Sequence, residues 1–203
     1  MTADISPRSK TEMLGDISAI ILAGGRSSRM GSNKAELIWN GDSLIAHQVR
    51  KMRSFGIGDV ILAGYQTPVD GARCARDIFP GKGPLGGIHA GLLAAKHELC
   101  LVLSVDAPLV PKGTLSALIS AHIAGQSRRT VLSHGGFCEP LIGVYERCLS
   151  GIAEDILKTE NTSVRVLFEK AGVAYYEYSG DEALLSNCNT PEEYKNLLSY
   201  AGR

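Results

Sequence analysis

The sequence carries no excess charge of either sign: Lys and Arg together number 21 in 203 residues, and so do Asp and Glu. Nor is there a block of five or six like charges, so neither nucleic acid nor an anionic membrane is expected as the main partner. No apolar stretch approaches the roughly 18 residues of a membrane span. Residues 1–16, MTADISPRSKTEMLGD, lack the apolar core of a signal peptide and are expected to form a disordered tail. The five cysteines (Cys74, Cys100, Cys138, Cys148 and Cys188) are odd in number, and no pair has the short spacing of a zinc or redox motif. Reduced thiols in the cytoplasm are the simplest reading. The five histidines form no ligand cluster either. His134 and Cys138 lie four apart, but the Gly135-Gly136 between them suggests a turn and no further ligand is nearby. A metal held by His or Cys is not expected. Internal repeats, low-complexity tracts and linkers are also missing.

What is present fits one compact domain, with 44% hydrophobic and 21% charged residues. Apolar, β-rich runs at residues 17–22, 60–63 and 100–105 alternate with helical patterns, the signature of βαβ units and a mostly parallel sheet. A helix is predicted over 43–55, where Leu44, Ile45, Val49, Met52 and Phe55 recur at helical spacing and Gly56 can end it. A second follows Pro84-Leu85-Gly86-Gly87, and a third carries Leu115, Leu118, Ile119, His122 and Ile123. Strands at 130–133 and 140–145, then helices near 146–158 and 163–171, read as a mixed extension of the same sheet. The final helix is signalled by Thr190-Pro191-Glu192-Glu193, in which Thr190 caps, Pro191 suits the first helical position and Glu193 closes a capping box.

Directly after the first strand, residues 22–34 read LAGGRSSRMGSNK. Adjacent glycines let the backbone approach a ligand with its N–H groups exposed, and Arg26, Arg29 and Lys34 supply positive charge, so this loop suits a polyphosphate. It is neither of the two common phosphate loops. The span from Gly25 to Gly31 is one residue too long for a Walker A loop and no lysine follows Gly31 directly, while this loop lacks the dinucleotide pattern G-x-G-x-x-G. A second site is Ser104-Val105-Asp106-Ala107-Pro108, at the carboxyl end of an apolar strand, where ligands collect in an open α/β sheet. Taken alone, Asp106 could simply make the turn before Pro108. Beside a phosphate loop it is the best single ligand for Mg²⁺, which often uses only one or two carboxylates and completes its shell with phosphate and water.

These two sites, with Gly83-Pro84-Leu85-Gly86-Gly87, Glu139-Pro140-Leu141 and Asn187-Cys188-Asn189-Thr190-Pro191-Glu192-Glu193, resemble the molybdenum cofactor guanylyltransferases over nearly all of residues 17–200. The most specific element is LAGGxSxRMGxxK at Leu22 to Lys34, which many nucleotidyltransferases share. Two departures stand out: Asn33 replaces the acidic residue many relatives carry before the lysine, and Ser-Val-Asp-Ala-Pro replaces Cys-Asp-Thr-Pro or Cys-Asp-Met-Pro. The resemblance implies a single-domain α/β, Rossmann-like nucleotidyltransferase with a mostly parallel, mixed sheet and helices on both faces. Residues 17–125 would bind nucleotide and 126–203 the acceptor.

Its activity would be transfer of GMP from GTP to the phosphate of molybdopterin with release of pyrophosphate, dependent on Mg²⁺. By motif, Leu22, Ala23, Gly24, Gly25, Arg26, Lys34, Asp77, Pro84, Leu85, Gly86 and Asp106 would bind the nucleotide. Arg29, Lys34 and Asp106 would be catalytic, with Asp106 holding the metal. Glu139, Pro140, Arg165, Asn187 and Asn189 would face the acceptor. Molybdoenzymes or cofactor-delivery proteins are the candidate protein partners. Other readings remain: a cytidylyltransferase for the same cofactor, a sugar-phosphate or other small-molecule nucleotidyltransferase, or a non-catalytic nucleotide-binding module. Gly24-Gly25, where cytidylyl relatives resemble Ala-Ala or Ala-Gly, matches the guanylyl side.

Overall fold

Isoleucine, leucine or alanine at five of the six positions of Ile17–Leu22 leaves that segment no face suited to water, and it forms a strand buried along its whole length. The computed structural model describes residues 10–24 and 33–200. In chain order the elements are α1 (Lys10–Gly15), β1 (Ile17–Leu22), β2 (Ile38–Trp39), β3 (Asp42–Ser43), α2 (Leu44–Phe55), β4 (Asp59–Ala63), β5 (Arg73–Cys74) and α3 (Pro84–Ala94). There follow β6 (Leu99–Ser104), α4 (Lys112–Ala124), β7 (Arg129–His134), β8 (Phe137–Glu146), α5 (Leu149–Leu157), α6 (Val164–Ala171), β9 (Ala174–Glu177) and α7 (Pro191–Leu198). None of the described helices is long and apolar enough to cross a membrane.

Seven strands form one sheet in the order β5-β4-β1-β6-β8-β7-β9, and β8 alone runs against the others. Side chains alternate across it. Ile17, Ala19 and Ile21 of β1 enter one core with Leu14, α2, α4 and α7, while Ile20 and Leu22 enter a second with α3, α5 and α6. Both halves of the chain therefore share one sheet, and the carboxyl ends of β1, β4 and β6 open along one edge.

Burial and capping place α2 as its sequence predicts. Leu44, Ile45, Val49 and Met52 are at most 1% exposed, and burying side chains of this size is worth about 1.5–3 kcal/mol each. The Ser43 hydroxyl accepts from the Ala46 N–H at 3.3 Å, and Gly56 ends the helix in the left-handed conformation at φ 106°. The capping box at Thr190 and Glu193 is formed, and α7 is strapped to the β2–β3 hairpin. The Trp39 indole donates to the Leu197 carbonyl at 3.1 Å, and the Tyr194 hydroxyl donates to that of Ile38 at 2.6 Å.

The structure departs from the sequence expectations in three places. The expected tail, residues 1–16, is folded from Lys10 onward as α1, because Leu14 finds a place in the core and is only 6% exposed; residues 1–9 lie outside the described residues. The β2–β3 hairpin turns on Asn40-Gly41, both at positive φ, a local signal for a two-residue turn that the sequence did carry. The edge strand β9 pairs in parallel with β7, but with only four residues of alternating burial it has too short a pattern to read.

Candidate active site

Sheet pairing continues past the strand ends and sets the floor of the site. The Ala23 N–H donates to the Ala63 carbonyl at 2.9 Å, and the Val105 N–H to that of Leu22 at 3.0 Å. Beyond them the backbones of Gly24 and Gly64 cross in contact. Gly64 has φ 79°, and a Cβ there would lie 2.4 Å from the Gly24 Cα. The crossing explains why position 64 is a glycine. We expect Gly64→Ala to destabilise the fold by about 2 kcal/mol or more through positive φ and backbone overlap, measured by denaturant midpoint. An unchanged midpoint would mean that the two backbones part freely.

Gly25, Arg26 and Arg29 lie outside the described residues. The chain is described again from Asn33, whose side chain accepts from the Ala35 N–H at 3.2 Å and starts a short 3-10 turn, Lys34–Glu36. That turn aims Lys34 across the sheet edge. Its Nζ lies 3.4 Å from Asp106 Oδ2 and donates to Asn189 Oδ1. Asp106 Oδ1 accepts from the Ser104 hydroxyl at 2.5 Å, and the Asp106 carbonyl accepts from the Cys188 N–H at 2.8 Å. A cation from the first loop, a carboxylate from the β6 turn and an amide from the last loop thus meet at one point.

The β6 turn is held from below by α2. Gln48, fully buried, donates through Nε2 to the Ser104 and Ala107 carbonyls, each at 3.2 Å, and Lys51 donates to the Pro108 carbonyl at 2.9 Å. Burial, and then the nearby Lys112 charge, lower the Lys51 ammonium to about 7. Burial and Lys51 in turn lower His47 to about 4.

The other expected nucleotide residues that are described lie at the end of β1 and around the start of α3. Leu22 and Leu85 are core side chains, leaving only their backbones for a ligand. A Cβ on Gly87 would touch Leu22, which brings the first turn of α3 against the end of β1. Asp77 accepts from the Phe79 N–H at 2.9 Å, and a Cβ on Gly86 would lie 3.9 Å from that carboxylate oxygen. Pro84, at the start of α3, is exposed.

Among the expected acceptor residues only Asn189 joins Lys34 and Asp106. Asn187 borders a cavity of about 290 Å³ beneath α7. Glu139 lies 3.3 Å from His134 Nε2, and the Pro140 carbonyl accepts from the Tyr145 hydroxyl at 2.6 Å, where β8 bulges against β7. Arg165 is on α6, over the other face of the sheet, and pairs with Glu169 at 3.3 Å with its side chain 87% exposed.

No group of three or more His, Cys, Asp or Glu side chains suited to a metal occurs among the described residues. Asp106 offers a single carboxylate, whose Oδ2 faces the Lys34 ammonium. That fits Mg²⁺ only as an ion completed by ligand oxygens and water.

Comparison with known proteins gives this geometry a context. Residues 19–174 match the model of the MobA-like NTP transferase domain. The chain belongs to that family. It is accordingly a nucleotidyltransferase, and the matched span contains Lys34 and Asp106 but ends before Asn189. It is 35% identical over 188 residues to the molybdenum cofactor guanylyltransferase of Pseudomonas putida, covering 88% of this chain and 96% of that protein. The enzyme of that name from Pseudomonas fluorescens is 35% identical over 183 residues, covering 86% and 90%. Among solved structures, the molybdopterin-guanine dinucleotide biosynthesis protein A of Archaeoglobus fulgidus superposes with a TM-score of 0.73 at 23% identity, covering 90% of this chain and 97% of that one. A CMP:2-keto-3-deoxy-manno-octonic acid synthetase complexed with CTP gives the same score at 13% identity, covering 91% and 97%. At those identities the likeness shows the Rossmann-like fold alone.

Proposed function

We propose that this MobA-like transferase moves GMP from GTP onto the phosphate of molybdopterin in the cytoplasm, forming the guanine dinucleotide cofactor and pyrophosphate. The observation that carries the reading is the meeting of Lys34, Asp106 and Asn189 at the carboxyl edge of the sheet. Guanylyl rather than another nucleotidyl transfer is supported by the names of the Pseudomonas relatives at 35% identity.

An anionic phosphate must attack the α-phosphorus of a polyanion, so charge repulsion is the main obstacle and positioned cations supply most of the catalysis. Lys34 leaves Asp106 and Asn189 to neutralise the β- and γ-phosphates as pyrophosphate departs. Arg29 adds charge over the triphosphate. Backbone N–H groups of the loop that follows Ala23 hold phosphate oxygens, Leu22 and Ala23 form the floor beneath the nucleotide, and Asp77 and the Pro84-Leu85-Gly86 turn hold the rest of it. Mg²⁺ held by Asp106 would supply further charge neutralisation on phosphate oxygens. The acceptor phosphate is already ionised near neutral pH, so the reaction needs no general base and no covalent nucleophile. Asn189, freed by Lys34, turns to the acceptor with Asn187 and the Glu139-Pro140 bulge of β8, and Arg165 is left to pair with Glu169.

The test is incubation with GTP or CTP, Mg²⁺ and molybdopterin, followed by mass analysis of the product and comparison of kcat/KM. GTP should be preferred by about 10² or more. Guanine presents N–H donors that a glycine-lined pocket can meet with open carbonyls, and cytosine would leave those carbonyls unpaired. Equal or better use of CTP would overturn the guanylyl assignment while leaving nucleotidyl transfer intact.

A further inference from the structure

We infer that Gln48 and Lys51, three residues apart on one face of α2, are positioning residues that fix Asp106 for its metal. The inference rests on the proposed role of Asp106 as the Mg²⁺ ligand. Its starting point is an anomaly in the core. Gln48 is 0% exposed among Leu44, Ile45, Val49 and Met52, where a methionine or leucine would fill the same volume without the cost of burying an amide. The amide is not idle. Its nitrogen reaches the carbonyls of Ser104 and Ala107, which bracket Asp106. Carbonyl oxygens only accept, so the nitrogen end must face them, and Oε1 is left without a partner among the described residues. One turn along the helix, Lys51 takes the next carbonyl, that of Pro108.

The turn itself has one internal backbone bond, from the Ala107 N–H to the Ser104 carbonyl at 3.3 Å. Within the turn the Ser104 hydroxyl also holds the carboxylate; from outside come three carbonyl bonds from α2, the Cys188 N–H on the Asp106 carbonyl, the Leu22 carbonyl that takes the Val105 N–H, and Lys34 on the carboxylate. Without the α2 donors the Ala107 and Pro108 carbonyls lose these partners and that of Ser104 keeps only the Ala107 N–H, so the backbone on the far side of Asp106 is loosened and the carboxylate is held less firmly where substrate phosphates arrive. Groups that orient a metal ligand typically contribute about 10–100-fold in metal affinity.

The experiment measures Mn²⁺ binding in the presence of GTP and without acceptor, by electron paramagnetic resonance of the free ion. It compares the parent chain with Gln48→Met, Lys51→Met, Asp106→Asn and the double variant Gln48→Met/Asp106→Asn. Apparent Mg²⁺ half-saturation for turnover and the melting temperature are read alongside. Gln48→Met should weaken Mn²⁺ binding about 10-fold, Lys51→Met should weaken it by a smaller factor, and Gln48→Met should have no further effect once Asp106 is asparagine. That non-additivity is what a general loss of packing would not produce.

If Gln48→Met lowers the melting temperature but leaves Mn²⁺ binding within twofold while Asp106→Asn weakens it, the positioning role is wrong and the metal role of Asp106 stands. If Asp106→Asn itself leaves binding unchanged, both fall. Should Gln48→Met fail to fold, Lys51→Met decides by the same criterion, alone and in the Asp106→Asn background.

Discussion

Replacing Lys34 by alanine should lower kcat for nucleotidyl transfer about 10²–10³-fold, the usual loss when one donor that stabilises transition-state charge is removed. Thermal stability should barely move. In the resting protein the Lys34–Asp106 pair is partly exposed, with side chains 22% and 16% accessible, and pairs of this kind contribute about 0–1 kcal/mol. The same ammonium also engages Asn189, so the alanine variant loses at once the phosphate counter-charge and the tie between the first loop and the last. A lysine serving only the surface would leave turnover at saturating GTP near that of the parent enzyme, and steady-state assay of pyrophosphate release is the measurement that decides.

Asp106→Asn should raise the Mg²⁺ concentration needed for half-maximal turnover by about 10-fold or more, because the amide keeps the size of the side chain and loses the charge that attracts a hard cation. It should also lower turnover at saturating Mg²⁺. The fold should tolerate the change. The Asp106 carbonyl still accepts from Cys188, Ser104 can reorient its hydroxyl, and the three carbonyls of the turn keep their donors from α2. A Mg²⁺ titration superimposable on that of the parent enzyme would reduce Asp106 to a turn former.

The features legible beforehand are those written in neighbouring residues. The six-residue apolar run of β1, the Ser43 and Gly56 ends of α2 and the Thr190–Glu193 box each depend on local spacing, and each appears in the structure where its residues put it. Lys34 and Asp106 were legible as ends of strand-loop motifs. Their contact spans 72 positions, and that with Asn189 spans 155, distances over which no periodicity reports. Gln48 escaped because a lone polar residue inside an apolar helical stripe looks like a solvated position until the sheet beneath it is known. Gly64 escaped for a similar reason: its partner is another glycine on a different strand. In α1 a single buried leucine does the anchoring, too little for a pattern.

The placement of β8 between β6 and β7 bears on how the chain can acquire this site at all. A polypeptide that has emerged only as far as Gly125 holds both Lys34 and Asp106, yet β6 would still present a bare edge, its backbone groups open to pairing with another molecule. That edge is closed only when β8 arrives from further along the chain and pairs in reverse, Leu99 opposite Glu146 and Leu103 opposite Ile142. Asn189 then follows last of all. Residues 17–125 therefore leave β6 unpaired on one side. Unfolding is expected to be a single cooperative event, and assembly, governed by contacts of long sequence separation, to be slow. The last-made third of the protein completes the lysine's resting place, so the cluster of Lys34, Asp106 and Asn189 forms only once the end of the chain has joined the sheet.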